Sequence, residues 1–367
     1  MKKEDAASLI VYAVMIGLAL FVGLGIIQPV FAANASVGGN QYAFAIISVI
    51  IGVFINAILL EVGHILGGLI GKYRIHSVNI FGFCFHKKSG KTHFAFRMFD
   101  GLTGETKFLP KSEKSNPRPA TLLPVLLYLI ELVAAIILYA LISTNVDVDL
   151  VWLSIGAIIV ASIGGMMTLY NIVPFKLDAI TDGYRLTLFA KKINIIAYNE
   201  LMLAENGDEP FTPRIFEEIT DFTAEVNLIS VYRNIKEKKF AEAETILTNI
   251  IANEAKTSNS THNRAIAQLL FLKIMNEPLE DAKAYYATIP TSIHRFIAND
   301  LSMPSLRAYV LIAGLMDDAQ GEIMYCLDRK KKAIKYTAPG IAEIENSLFK
   351  EALDKVKVAH PDWKLEQ

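Results

Sequence analysis

The residues best suited to chemistry lie at the ends of two apolar stretches that are far apart in the chain. Glu61 and His64 are three residues apart, so they share one face if their stretch is helical. Asp182 begins the sequence Asp-Gly-Tyr after another apolar stretch, and Asp178 precedes it. Ionisable side chains in apolar segments are costly, which makes them candidates for function. Imidazole and carboxylate groups can bind a metal ion or transfer protons.

Four apolar segments of this chain are long enough to cross a membrane. A spanning helix needs about 20 largely apolar residues, and the sequence predicts spans at 8–31, 42–70, 121–143 and 150–174. The first segment is longer than the core of a signal peptide, so we expect an uncleaved anchor. The small residues at 33–35 leave a cleaved signal peptide as the alternative. The predicted fold is a mostly α membrane helix bundle.

The distribution of basic residues predicts the orientation of these helices. The segment 71–120 has ten Lys or Arg and three acidic residues, whereas 33–41 and 144–149 have no Lys or Arg. By the positive-inside rule, the protein is a multi-pass cell-membrane protein with both termini in the cytoplasm. The formal net charge of −1 gives no signal for nucleic acid. The expected partners are the lipid bilayer and a transmembrane protein or peptide.

The two motifs resemble those of the site-2 protease family of intramembrane zinc metalloproteases. That family has His-Glu-x-x-His on one membrane helix and an Asn-Pro segment leading to Asp-Gly on another. The matching stretches here are Leu60-Glu61-Val62-Gly63-His64 and Asn171-Ile172-Val173-Pro174 with Asp182-Gly183. The resemblance covers about 56–185, and the segment 99–107 also looks like bacterial members. It implies zinc as cofactor, Glu61 as general base, and His64 and Asp182 as ligands, with Asp178 as the alternative to Asp182.

The chain departs from the family pattern at Leu60, which stands where the family has its first zinc histidine. Catalytic zinc usually has three protein ligands, and only two remain. The residues considered for the third position are Asn56, Glu131, His76, His86 and His93, and Asn171 is a further auxiliary residue. Glu131 is otherwise expected to be neutral or hydrogen-bonded to another helix.

Three functions stay open on this evidence. The first is a metalloprotease, a hydrolase that cleaves membrane proteins within the bilayer if zinc is bound. The second is a catalytically inactive pseudoenzyme that binds membrane segments or regulates a partner. The third is a small proton-coupled transporter, although the internal repeats of transporters are not evident.

Shorter patterns predict the surroundings of these motifs. Alternating residues at 75–80 and 93–97, with Lys-Ser-Gly-Lys between them, predict a cytoplasmic β-hairpin. It either accepts an unwound substrate as an added strand, as the resemblance implies, or forms a small sheet at the headgroup level. Gly63, Gly67 and Gly71 recur every four residues, which favours close helix packing.

Beyond about residue 187 the chain has the pattern of a soluble α-helical domain. We therefore divide it into a membrane domain at 1–186 and a cytoplasmic domain at 187–367. Amphipathic segments at 240–247 and 279–286, followed by 306–315 and 317–334, suggest stacked helical hairpins or a plain helical cap. The polar residues 258–263 predict a loop. Cys84 and Cys326 predict neither a disulfide nor a thiolate zinc site.

Overall fold

A computed structural model describes residues 3–33, 40–88, 91–96, 104–142, 148–174, 181–207 and 211–365. The chain forms two compact units, residues 1–195 and 196–367. In the described part of the first unit, four helices are long and apolar enough to cross a membrane, which confirms the predicted number. They are α1 (Lys3–Leu20), which continues through a π-helical segment (Phe21–Ile27) into α2 (Gln28–Ala33), then α3 (Asn40–Ile70), α4 (Arg118–Ile142) and α5 (Val148–Ile172).

Glycines allow the backbones of α3 and α4 to approach closely. A Cβ on Gly67 would lie 2.6 Å from the Cα of Ala120, and one on Gly63 would lie 2.6 Å from the Cα of Pro124. Real Cβ atoms do not come this near to backbone atoms, so these positions accept only glycine at this separation. The predicted packing role of the glycine repeat is confirmed.

A four-stranded antiparallel sheet connects α3 to α4. The strands are β1 (Tyr73–Ile80), β2 (Phe83–Lys88), β3 (Lys91–Phe96) and β4 (Gly104–Pro110). Their order in the sheet is β3-β2-β1-β4, so β3 and β4 are its edges among the described residues. Residues 75–80 and 93–96 lie in strands, as predicted, but these strands do not pair with each other, because β2 lies between them and pairs with both.

The sheet extends back along α3 instead of away from the end of that helix. The rings of Phe81, in the turn after β1, and Phe54 of α3 have centroids 4.5 Å apart. Phe54 precedes the end of α3 by 16 residues, about 24 Å along a helix axis.

One face of the β2–β3 hairpin is lined with exposed phenylalanines. Phe83 pairs with Phe96 and Phe85 pairs with Phe94, so all four side chains point to the same side. Each is more than half exposed. The hairpin thus presents an apolar surface to the surroundings of the first unit.

The second unit is helical, as predicted. One detail differs: residues 259–263 form the first turn of a helix and not a loop, because the Ser258 hydroxyl accepts the Thr261 N–H at 3.1 Å and caps the helix.

The helices from the end of α5 onward are α6 (Asp182–Leu188), α7 (Lys192–Asn206), α8 (Asp221–Lys236), α9 (Phe240–Ala252), α10 (Asn259–Asn276), α11 (Leu279–Thr288), α12 (Thr291–Asn299), α13 (Met303–Leu315), α14 (Gln320–Tyr336) and α15 (Pro339–Ala359).

A buried ion pair joins three helices of the second unit. Arg307 of α13 and Glu345 of α15 are both fully buried and form a salt bridge. The Arg307 Nε also donates to Gln268 Oε1 of α10 at 3.0 Å, and its guanidinium lies 4.9 Å from the Tyr232 ring centroid. Burial raises the pKa of Glu345, an effect that the charge of Arg307 opposes.

We expect Gly67→Ala to destabilise the first unit. The added methyl group would meet the backbone at Pro119 and Ala120, which cannot move aside without separating α3 from α4. Overpacking of this kind costs about 1–3 kcal/mol. The measurement is the melting temperature of the full chain in detergent. Gly165→Ala, where a Cβ would meet nothing within 4 Å, is the control and should not lower the melting temperature.

We expect Glu345→Gln to destabilise the second unit by about 3–5 kcal/mol, because it leaves the Arg307 guanidinium buried without a counter-charge. The double variant Arg307→Met/Glu345→Leu removes both charges and should recover most of that loss. Thermal unfolding of the full chain measures both. A single variant as stable as the parent would contradict the expectation.

Candidate functional site

Helix α6 begins against the end of α5. The Thr181 hydroxyl accepts the Tyr184 N–H at 3.3 Å and donates to the Val173 carbonyl at 3.1 Å, so it caps α6 and joins it to α5. A Cβ on Gly183 would lie 2.6 Å from the Val173 oxygen. A small residue at 183 is therefore needed for α6 to start here and to direct Asp182 towards α3.

Three of the predicted site residues meet at this point. The His64 Nε2 lies 3.0 Å from Asp182 Oδ2, and its Nδ1 lies 3.6 Å from Glu61 Oε2. Glu61 is 1% exposed and Asp182 is 6% exposed, whereas the His64 side chain is 17% exposed. The structure therefore brings the two distant motifs together as a Glu61–His64–Asp182 cluster.

Two further side chains contact the cluster. The Thr106 hydroxyl of β4 donates a short hydrogen bond to Glu61 Oε2, and Arg185 Nη1 lies 3.4 Å from Asp182 Oδ1. A Cβ on Gly104 would lie 2.7 Å from Glu61 Oε1, so the start of β4 runs directly beside this carboxylate. Sequence reasoning did not assign Thr106 or Arg185. The likeness of 99–107 to bacterial family members was the available signal for Thr106.

The cluster places the His64 ring between the carboxyl groups of Glu61 and Asp182, with Arg185 beside Asp182. Burial by itself would raise the pKa of Asp182, but the hydrogen bond and charge of His64, together with Arg185, hold that pKa below its ordinary value. The His64 ring lies between two carboxylates, and a protonated imidazole suits both neighbours. The arrangement is a buried charge network that binds α3 to α6.

The described residues do not fit a catalytic zinc centre. Leu60 and His64 are four residues apart on α3, so Leu60 is on the same face of the helix and presents a hydrocarbon side chain, which cannot bind a metal ion. Among the described residues, no group of three His, Cys, Asp or Glu side chains is arranged to hold a metal ion. Catalytic zinc needs three such ligands.

Asn56 does not supply the third ligand. It precedes His64 by eight residues on α3, about 12 Å along the axis. Its Nδ2 donates to the carbonyls of Gly52 and Val160 at 2.9 and 2.8 Å. Glu131 lies beside Asn56, because both side chains contact Gly164 of α5. These two residues form a separate polar site deeper in the bundle.

The remaining candidates lie elsewhere. His86 and His93 pair across β2 and β3, with ring centroids 5.6 Å apart. Strand β2 is two strands away from β4, about 10 Å at the usual strand spacing. His76 lies at the irregularity in β1 between Ile75 and Ser77. Asn171 is half-buried in the last turn of α5, and Asp178 lies outside the described residues.

Comparisons with family models, curated proteins and solved structures find no match for this chain. The functional reasoning below therefore depends on the motifs, on the Glu61–His64–Asp182 cluster and on the sheet beside it.

We expect Asp182→Asn to weaken the contact between α3 and α6. Asparagine keeps the shape of the side chain but loses the charge that faces His64 and Arg185, at a cost of about 1–3 kcal/mol. The melting temperature of the full chain in detergent measures this loss. Asp354→Asn, at an exposed position, is the control.

The double variant His64→Gln/Asp182→Asn distinguishes a direct interaction from two separate effects. Residues in contact show coupling energies of about 0.5–3 kcal/mol. Strictly additive losses from the two single variants would mean that the two side chains do not interact in the folded protein.

Proposed function

We propose that this chain is a site-2-protease-like membrane protein that binds extended membrane segments of other proteins without cleaving them. The observation that carries the proposal is the contact between β4, an edge strand, and Glu61 of the cluster. The edge of β4, which could pair with an unwound peptide, thus lies beside the Glu61–His64–Asp182 cluster. At position 60, where the family that the motifs resemble has a metal-binding histidine, this chain has leucine. The chain is therefore proposed to be a pseudoprotease.

Leu60 is the reason for proposing binding without cleavage. It is buried, with 8% exposure, so its side chain contributes packing at that position and no lone pair. His64 and Asp182 interact directly with each other, and Glu61 is held by Thr106. Each member of the Glu61–His64–Asp182 cluster thus has a polar partner, and the cluster is stable as an ionic network.

The edge of β4 supports the binding part of the proposal. An extended segment in a membrane has unpaired backbone N–H and C=O groups, which are costly in hydrocarbon. Pairing with a strand edge satisfies these groups with little demand on side-chain sequence. No described strand pairs with the outer edge of β4, and the sheet lies alongside α3.

The basic residues support the proposed orientation. Helices α3 and α5 both end near the cluster, and the Lys- and Arg-rich segment 71–120 begins at the end of α3. The positive-inside rule then puts the cluster near the cytoplasmic leaflet and both termini in the cytoplasm of a multi-pass cell-membrane protein.

Zinc content tests whether the centre is incomplete. We expect purified protein to contain far less than one zinc per chain, with no change in His64→Ala. Leu60→His restores histidines at i and i+4 and should increase bound zinc, an increase that Leu60→His/His64→Ala removes. Near-stoichiometric zinc in the parent protein that is lost in His64→Ala would instead favour an active metalloprotease.

Photo-crosslinking tests the binding surface. A photoreactive residue at Glu105, in β4, should capture a synthetic membrane peptide that contains a helix-breaking stretch. A matched peptide that forms an uninterrupted helix should be captured much less, because its backbone groups are already paired. The same probe at exposed Lys331 of the second unit is the control. Equal capture of both peptides at Glu105 would refute binding by strand addition.

A further inference from the structure

A second set of polar atoms lies inside the helix bundle, apart from the Glu61–His64–Asp182 cluster. Asn56 Oδ1 of α3 and both carboxyl oxygens of Glu131 of α4 are buried, and no hydrogen-bond donor of the described residues reaches them. Both residues face Gly164 of α5, where a Cβ would collide with Asn56 Oδ1 and lie 2.5 Å from Glu131 Oε2. The amide oxygen and the carboxyl group are therefore close neighbours.

The side-chain donors of Asn56 and Tyr128 are already used. The Asn56 side chain is fully buried, and its Nδ2 donates to two backbone carbonyls, so its oxygen is fixed on the side of Gly164. The Tyr128 hydroxyl, one turn before Glu131 on α4, donates to the backbone oxygen of Asn56 at 2.8 Å. Asn56 Oδ1 and Glu131 thus face each other as two acceptors.

No described cation is placed to neutralise Glu131. The α5 residues on this side of the bundle, Gly164 and Thr168, carry no charge. On α4 itself, the titratable residue one turn before Glu131 is Tyr128, which is not a cation. The ionisable residues of α3 and α6 near the cluster are Glu61, His64, Asp182 and Arg185. They interact with one another and not with Glu131.

We propose that Glu131 and Asn56 form a proton-binding site in the interior of the bundle, with Glu131 as a carboxylic acid that donates to Asn56 Oδ1. One proton removes the charge of the carboxylate and provides a donor for Asn56 Oδ1. An unpaired carboxylate in apolar surroundings would be costly. A hard metal cation takes about six or more oxygen ligands, whereas these two side chains offer three. The site does not depend on whether zinc binds at His64.

Infrared spectroscopy tests this proposal on the full chain in lipid nanodiscs. At about pH 8, exposed Asp and Glu side chains are ionised, so a carboxylic-acid C=O band reports only on buried acids. We expect such a band in the parent protein, its loss in Glu131→Gln, and its shift to higher frequency in Asn56→Leu, which removes the acceptor. Glutamine has the same shape as glutamate and retains an N–H donor for Asn56, so Glu131→Gln should fold.

The control is Asp354→Asn, which alters an exposed acid of the second unit and should leave the Glu131 band unchanged. If the difference between the parent and Glu131→Gln contains only carboxylate bands, Glu131 is ionised and the proposal is wrong. Carboxylate bands that shift when potassium is replaced by sodium would identify a cation site instead. If Glu131→Gln does not fold, the band shift in Asn56→Leu decides the matter alone.

Discussion

Polar side chains in apolar helices require partners from neighbouring helices, and the first unit is organised around this requirement. His64 obtains its partner from α6, because the chain turns at Thr181 and presents Asp182. The Asn56 amide donates to the Val160 carbonyl of α5. Water would satisfy such groups anywhere on a soluble surface, but hydrocarbon cannot. Each polar residue therefore fixes the position of a second helix relative to α3.

Small residues make these contacts possible. The α3 and α4 backbones approach closely at Gly63 and Gly67, which shortens the distance that a side chain on either helix must cross. Gly164 has a different role, since its missing side chain leaves room for Asn56 and Glu131 to face each other. The glycines of α3 thus serve close packing, whereas Gly164 of α5 makes room for a polar site.

The sequence predicted the elements that have a strong local pattern. The four apolar helices, the glycine packing and the helical second unit follow from composition and periodicity. The Glu-x-x-His and Asp-Gly-Tyr motifs indicated which distant residues meet, but the contact of Thr106 with Glu61 depends on strand order in the sheet. Pairing between strands and the capping role of Ser258 depend on partners that a periodic pattern does not specify.

A leucine at position 60 is compatible with the contact between α3 and α6, because that contact does not need a metal ion. A zinc ion would bridge His64 and Asp182 through coordination, whereas here the two side chains interact directly at 3.0 Å. Arg185 and Thr106 add polar contacts on either side, so the buried charges remain compensated. If the proposed kinship holds, leucine at position 60 removes a metal ligand while the contact of β4 with Glu61 is retained.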